Sequence, residues 1–368
     1  MTVVPLPLSP PLSPVLASPV GEIPDRDDLV FEPKWDGFRC LAFVDGDLTH
    51  LQSRTGRDLT RYFPEVVADL RRAVPEPAVL DGELVVDRDG EGGRRLDWDA
   101  LGERIHPAAS RIAQLAVDTP ARFVTFDLLA RGDEILLPLP FLQRRAALAT
   151  LLRPAERVHL TPATRDVGIA RQWFRLFEGA GLDGLIAKPA HGPYTPGRRT
   201  LLKIKHARTA DCVVAGLRWH VHTEPGTAVG SLLLGLHDER GVLHHVGVVG
   251  AFPATRRREL ARELAPLGEG ADEGHPWLGP QAEDGRRVPG SINRWHSSEQ
   301  AWVPLRCERV VEVAYDHTEG GHPARFRHTT QFVRWRPDRD PASCRYDQLA
   351  EPAGYDLDAV LHGTVRLA

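Results

Sequence analysis

The patterning of the chain changes once, near residue 207, and that change constrains the fold more than any other feature. Before it, strand-like runs alternate with helix-like ones. "LVFEPKWDGFRCLAFVDGDLTHLQSR" (29–54) alternates apolar and polar residues around a turn at Asp45-Gly46. "FPEVVADLRRAV" sets Val66, Val67 and Leu70 on one helical face. "AVLDGELVVD" predicts a strand interrupted at Asp81-Gly82, and "ARFVTFDLLA" a strand ended by Arg131-Gly132-Asp133. "PFLQRRAALATLL" predicts a helix opened by proline, and "RQWFRLFEGAG" a helix stopped by glycine. "DGLIAKP" and "RTLLKIKH" predict short strands. After 207, "ADCVVAGLRWHV", "GSLLLGLHDERGVLHHVGVVG" and "RCERVVEVAYDH" predict strands with glycine-rich turns, around one helix, "PATRRRELARELAPL". Roughly five strands with one helix fit an oligonucleotide-binding (OB) barrel. The expectation is an α+β chain of two domains: antiparallel sheets with flanking helices over 1–206, then an OB-fold β-barrel over 207–368. The polar stretch Gly268 to Pro304, with many Gly and Pro, predicts a long loop, a kind more often functional than idle. The opening "MTVVPLPLSPPLSPVLASPV" has no basic residue and is broken by proline, so it reads as an extended lead-in rather than a secretory signal.

Charge narrows the chemistry. The net charge of −4 gives no global basic signature, so a nucleic-acid partner would have to be met by local charge. Of 46 Lys and Arg, only Lys34, Lys188, Lys203 and Lys205 are lysine. Arginine stays protonated in proteins, whereas lysine can serve as an amine nucleophile or a compact point charge. Lys34 begins K-x-D-G-x-R with Asp36, Gly37 and Arg39. On a strand running into a turn, 34 and 36 share a face, and Gly37 is expected to let the backbone approach a ligand closely. An amine between a carboxylate and a guanidinium suits covalent attack on phosphorus.

Other chemistries are excluded. Cys40, Cys212, Cys307 and Cys344 form no C-x-x-C pair, which argues against a disulfide scaffold or zinc ribbon and suits a reducing cytoplasm. No apolar run reaches the ~18 residues of a membrane span. A cytoplasmic monomer without a membrane partner is expected. His220 and His222, and the adjacent His244 and His245, lack Cys or carboxylate partners at ligand spacing, so they are expected to be exposed strand or loop histidines.

K-x-D-G-x-R resembles motif I of the covalent nucleotidyltransferases: ATP-dependent DNA ligases, RNA ligases and mRNA capping enzymes. The rest of the ordered series is present. "SRTGRD" (53–58) resembles the segment after motif I, "LDGELVV" (80–86) motif III and "FDLL" (126–129) motif IIIa. "DGLIAK" (183–188) resembles motif IV, "LLKIK" (201–205) motif V and "FRHTTQFVRWRPDRDP" (326–341) motif VI. "PGSINRW" (289–295) and "VVEVAYDH" (310–317) are similar to the compact two-domain bacterial C-type ATP-dependent DNA ligases.

That resemblance implies an adenylation domain followed by the OB barrel, and three steps. Lys34 attacks the α-phosphate of ATP, giving lysyl-AMP and pyrophosphate. AMP passes to the 5′-phosphate of a nick in double-stranded DNA. The 3′-hydroxyl then attacks, sealing the strand and releasing AMP. Glu32 would accept from the adenine amino group, Phe126 would stack on adenine, and Arg39 and Arg54 would hold ribose and phosphate oxygens. Lys188, Lys203 and Lys205 would bind phosphate. Glu83 and Asp183 are the candidates for Mg²⁺ or Mn²⁺, with ribose hydroxyls the alternative partner of Glu83. Arg334, Arg336, Asp338 and Arg339 would serve the first step by orienting pyrophosphate. Arg54, Arg57, Arg286, Arg287 and Arg294 would bind DNA, the last three as a clamp on the Gly268–Pro304 loop, with other DNA-repair proteins as further partners. Two positions depart from the family pattern: Asp183 stands where ligases usually carry Glu, and Asp338-Arg339 replaces Asp-Lys. "DGLI" is also a capping-enzyme spelling. An RNA ligase, a capping guanylyltransferase or a non-catalytic nucleic-acid-binding protein is therefore the alternative.

Overall fold

The computed structural model describes residues 6–46, 48–90, 93–206, 208–278, 285–290, 301–319, 323–349 and 354–361. They fall into two units, 1–206 with 351–368, and 207–350.

The first unit runs β1 (Leu16–Val20), β2 (Leu29–Pro33), β3 (Phe38–Asp45), β4 (Leu48–Ser53), α1 (Pro64–Ala73), β5 (Ala78–Gly90) and β6 (Gly93–Leu96). Then come α2 (Trp98–Glu103), α3 (Ala109–Asp118), β7 (Ala121–Arg131), β8 (Glu134–Ile135), α4 (Phe141–Leu151), β9 (Val158–Leu160), α5 (Val167–Leu176), β10 (Leu185–Pro189) and β11 (Arg199–Ile204). One sheet has the order β4-β3-β5-β7-β8, with β6 on β5 and β9 parallel to β7. The other has the order β1-β11-β10-β2, antiparallel except for β1 beside β11. The β3–β4 turn uses Gly46 at φ +55°. Helix α1 buries Val66, Val67, Leu70 and Ala73 against the larger sheet. Helix α5 starts where the Asp166 side chain accepts from Ile169 N (3.0 Å), and the short turn that follows it ends at Gly181, φ +86°.

Two local readings are corrected, and one glycine gains a packing role. Strand β5 is not interrupted at Asp81-Gly82; it runs through, with a register shift against β7 at that point. Gly82 is there because a Cβ would lie 2.5 Å from the Phe123 ring and 2.7 Å from Val124 O. Gly37 also serves packing, since a Cβ there would lie 2.1 Å from Leu84 O on β5. The proline-rich opening is also more than a lead-in. It supplies β1, and Leu6, Leu8 and Leu12 pack against a cluster containing Leu41, Phe43 and Val79. Gln52 brackets this segment, accepting from Leu12 N (2.9 Å) and donating to Leu12 O (2.7 Å).

The second unit contains β12 (Arg208–Trp219), β13 (Val229–His237), β14 (Leu243–Val249), α6 (Ala254–Gly268), β15 (Val303–Tyr315), β16 (Thr318–Glu319), β17 (Arg325–Phe326) and β18 (Gln331–Trp335). Its main sheet has the order β14-β13-β12-β15-β18. Thr330 N donates to Val248 O (2.9 Å), joining the two edge strands, as an OB barrel requires. Leu260, Leu264 and Leu267 of α6 seal the core. Trp277 and Val288 enter the same core, so parts of the expected 268–304 loop are barrel wall. The expected second domain ran to 368, but α7 (Leu357–Leu361) belongs to the first unit, where Leu357, Val360 and Leu361 are buried with Trp173 and Phe177. Among the described residues no helix is long and apolar enough to cross a membrane.

The barrel also corrects the reading of His244 and His245 as exposed. His244 is buried, 3.2 Å from Asp238 Oδ2, and His245 packs edge-on to Trp277. Burial, with the guanidinium groups of Arg218, Arg287 and Arg325, pushes His245 down to about 3. A base depressed in the fold stabilises it above the ordinary histidine range, and that contribution is lost as pH falls from about 6.5 towards 3. The urea midpoint should therefore drop across this window, with up to about 1.4 kcal/mol per pH unit from this one proton. His245→Gln should flatten the slope; an unchanged slope would contradict the assignment.

Candidate active site

Lys34 lies just past β2, and backbone pairing fixes it. Lys34 N donates to Gly184 O, and Asp183 N donates to Lys34 O, each at 2.9 Å. Gly184 has φ +114°, and a Cβ there would lie 2.0 Å from Ile204 O. Only glycine allows this close approach of β10 to β11. The Lys34 Nζ pairs with Asp183 Oδ2, and Lys205 Nζ reaches the same oxygen at 3.0 Å. Asp183 is 5% exposed, so one enclosed carboxylate gathers two of the four lysines.

The sheet register carries the next group. Glu32, Ile186 and Lys203 stand opposite one another across β2, β10 and β11, so their side chains share a face, as does Lys188 two residues on. Glu32 is 2% exposed and its oxygens are divided between two cations. Lys188 Nζ lies 2.7 Å from Oε2, and Arg145 Nη1 lies 2.9 Å from Oε1. Lys188 also donates to Phe126 O (2.9 Å) and sits over the Phe126 and Phe141 rings, at 4.7 and 4.4 Å. Its ammonium is thus held within the wall by Glu32, Phe126 O and two aromatic rings.

The larger sheet supplies the facing side. Arg39 forks onto Asp81 with two 2.6 Å bonds, and its guanidinium lies 4.5 Å from the Phe126 ring centroid. Tyr194 donates to Asp81 Oδ2 (2.7 Å) and accepts from Val15 N (3.0 Å). Phe126 is largely buried between these cations. Glu83, directly opposite Arg39 in the β3–β5 register, is pushed up to about 7 by burial. Arg39 and Lys34 oppose that rise, and Asp36 and Asp81 add to it. Glu83 and Asp183 are carboxylate oxygen donors of the kind a divalent metal takes, and a cation bound there would draw Glu83 back toward its ionised form. Among the described residues no group of three or more His, Cys, Asp or Glu forms a metal cluster.

The structure thus brings together Glu32, Lys34, Arg39, Phe126, Asp183, Lys188 and Lys205, with Glu83 beside Arg39. Lys203 is half-buried on β11. Arg54 and Arg57 are exposed in the turn after β4, and neither guanidinium has a partner among the described residues. In the barrel unit Arg334 is paired with Glu312 (2.7 Å), Arg336 with Asp211 and Asp338 (2.9 and 2.8 Å), and Arg339 with Asp211 (3.2 Å). Arg286 donates to Pro276 O, and the backbone of Arg287 bonds both His244 and His245, so this part of the loop is laid against the barrel. Arg294 lies outside the described residues. Sequence reasoning missed Asp81, Arg145 and Tyr194. A polar residue inside the strand run "VLDGEL" was the available signal for Asp81; the other two gave none.

Comparison with known proteins follows this geometry. The family model described as ATP dependent DNA ligase domain matches residues 14–205, and that of the ATP dependent DNA ligase C terminal region matches 225–339. The chain is 51% identical over 366 residues to DNA ligase C of Mycobacterium tuberculosis, covering 97% of this chain and 99% of that protein. It is 49% identical over 362 residues to DNA ligase C1 of Mycolicibacterium smegmatis, with the same coverage. A solved structure from a study of Lig E DNA ligases resembles it in fold, with a TM-score of 0.51, 17% identity, and coverage of 88% of this chain and 99% of that one.

Proposed function

The chain belongs to the ATP-dependent DNA ligases, with ATP as co-substrate, and from that premise we propose that it seals nicks in duplex DNA through AMP held on Lys34. The observation that carries this is the placement of Lys34 against Asp183, in a pocket walled by Glu32, Arg39, Phe126 and Lys188. Lys34 supplies the nucleophilic nitrogen, and the adjacent Asp183 carboxylate orients it. Lys203 and Lys205 neutralise phosphate oxygens as charge builds on the α-phosphate. Arg39, already forked by Asp81, presents a fixed donor edge to the ribose and phosphate side. Asp183 and Glu83 would hold a divalent metal, which draws charge from phosphate oxygens when bound. Arg334, Arg336, Asp338 and Arg339 serve the first step. Arg54, Arg57, Arg286, Arg287 and Arg294 are the residues proposed for phosphates of the duplex, in repair of broken strands alongside other repair proteins. Sealing of a nicked duplex with ATP and a divalent cation, compared with GTP, tests this reading. No sealed product with either nucleotide would overturn it.

Glu83 gives a pH signature. Its carboxylate form grows as pH rises through about 7, so the rate of AMP transfer to Lys34 should rise across the same range. Glu83→Gln should remove that limb. If Glu83 holds the metal, raising the Mg²⁺ concentration should move the midpoint to lower pH. If it holds ribose hydroxyls, the midpoint should stay fixed. A wild-type profile flat between pH 6 and 8 at limiting Mg²⁺ would rule out both roles.

A further inference from the structure

The buried carboxylate of Glu32 is held from two sides, and one of its holders lies outside every motif of the family series. Arg145 projects from α4, donates from Nη1 to Glu32 Oε1 (2.9 Å) and from Nη2 to Thr161 O (2.6 Å). Thr161 Oγ1 in turn accepts from Trp35 Nε1 (2.8 Å), next to Lys34 in the chain. The preceding residue, Arg144, clamps α4 to β7 through a two-pronged pair with Asp127 (2.7 and 3.0 Å), next to Phe126. Lys188 completes the arrangement by joining Glu32 Oε2 to Phe126 O. Glu32 and Phe126 are the two residues expected to meet adenine, and Lys188 touches both while Arg145 holds the other oxygen of Glu32.

We propose that Arg145 is a positioning residue that sets purine choice: with Lys188, it holds Glu32 as an ionised acceptor that takes a purine with an amino group at position 6 and refuses one with a carbonyl there. The proposal rests on the reading that Lys34 receives AMP from ATP. An ionised carboxylate has about four lone-pair sites and no donor. Two sites are taken by the cations, and the others can accept only from N–H. Adenine offers an exocyclic N–H at position 6, while guanine would bring an oxygen against the carboxylate, leaving a buried acceptor unpaired. A carboxylate 2% exposed would be costly to keep charged without its partners. Two cations, one on each oxygen, fix both its charge and its direction. Arg145 itself is directed at the carboxylate and a backbone carbonyl, so it acts through Glu32.

The test measures single-turnover AMP or GMP transfer to the full chain for wild type, Arg145→Ala and Arg145→Lys, with ATP, GTP and a purine triphosphate lacking the 6-amino group. For Arg145→Ala the expected result is a rise of about 10- to 100-fold in the ATP concentration needed for half-maximal rate, the range of a hydrogen bond to a charged group. The rate at saturation should change little, and the preference for ATP over GTP should fall by a similar factor. Arg145→Lys should restore part of the preference. Wild type should lose about as much on removal of the 6-amino group as Arg145→Ala loses with ATP, and the two losses should not add. Equal losses with ATP and GTP, or fully additive losses, would overturn the proposal and leave the ligase reading standing. No labelling of wild type by any of the three nucleotides would overturn that reading and this proposal with it. The wild-type nucleotide series keeps the proposal testable if Arg145→Ala fails to fold: wild type transferring ATP and the triphosphate lacking the 6-amino group equally well would also overturn it.

Discussion

Lys34→Arg is expected to abolish transfer of AMP from ATP to the protein while leaving the fold intact. The guanidinium remains protonated and has no free electron pair for the phosphorus. The loss should be roughly 10³-fold or more, as for other enzymes deprived of the nucleophile. Stability should hold, because Lys34 is partly exposed and an arginine keeps a cation beside Asp183. Sealing of a nick whose 5′ end already carries AMP should survive at reduced rate, since that step does not use the amine as nucleophile. Labelled AMP on the variant at the wild-type level would contradict the assignment of Lys34. Loss of thermal stability together with activity would leave the nucleophile role unproven by this variant, and the pre-adenylated nick then decides.

The second large effect is expected at Asp183. Its Oδ2 receives the ammonium groups of both Lys34 and Lys205. Asp183→Ala removes the carboxylate that both ammonium groups reach, and with it one of the two carboxylates proposed above for the metal. AMP transfer should fall on the order of 10²–10³-fold, the range seen when one electrostatic stabiliser is removed. Asp183→Glu keeps the charge and restores the residue that ligases usually carry here, so it should be much less damaging. The backbone has little freedom to adjust, because Gly184 is packed against Ile204 O; the extra methylene must be absorbed by the side chain. A glutamate variant worse than the alanine variant would show that the pocket is built around the shorter acid and that the metal role is misassigned.

Much of this site was legible because its chemistry requires particular residue types. Lys34, Lys188, Lys203 and Lys205 stood out in a chain that otherwise uses arginine, and three of them lie in the pocket of the two sheets. What those lysines touch was less legible. The position of Lys188 depends on β10 register bringing it beside Glu32 and on α4 placing Phe141 under its ammonium, and neither is encoded locally. Arg145 follows Arg144 on α4, where adjacent arginines read as a solvated face. Here both turn inward, because Asp127 and Glu32 wait there at sequence separations of 17 and 113. Gly37 was recognised, but its packing role was not, since the tight neighbour is Leu84 O across the sheet. The barrel was readable from its strands and turns. The return of α7 to the first unit was not, because five residues with four apolar positions carry little signal until Trp173 and Phe177 are in place.

The most direct measurement of the central claim is the fate of AMP. The chain is incubated with ATP labelled on the α-phosphate and a divalent cation, and one portion is denatured, digested and mapped by mass spectrometry. Another portion is freed of ATP and mixed with nicked duplex. The account predicts AMP on Lys34 alone, its discharge on addition of nicked DNA, and sealed strands in an amount matching the AMP released. AMP on another residue, or AMP on Lys34 that nicked DNA fails to discharge, would contradict it.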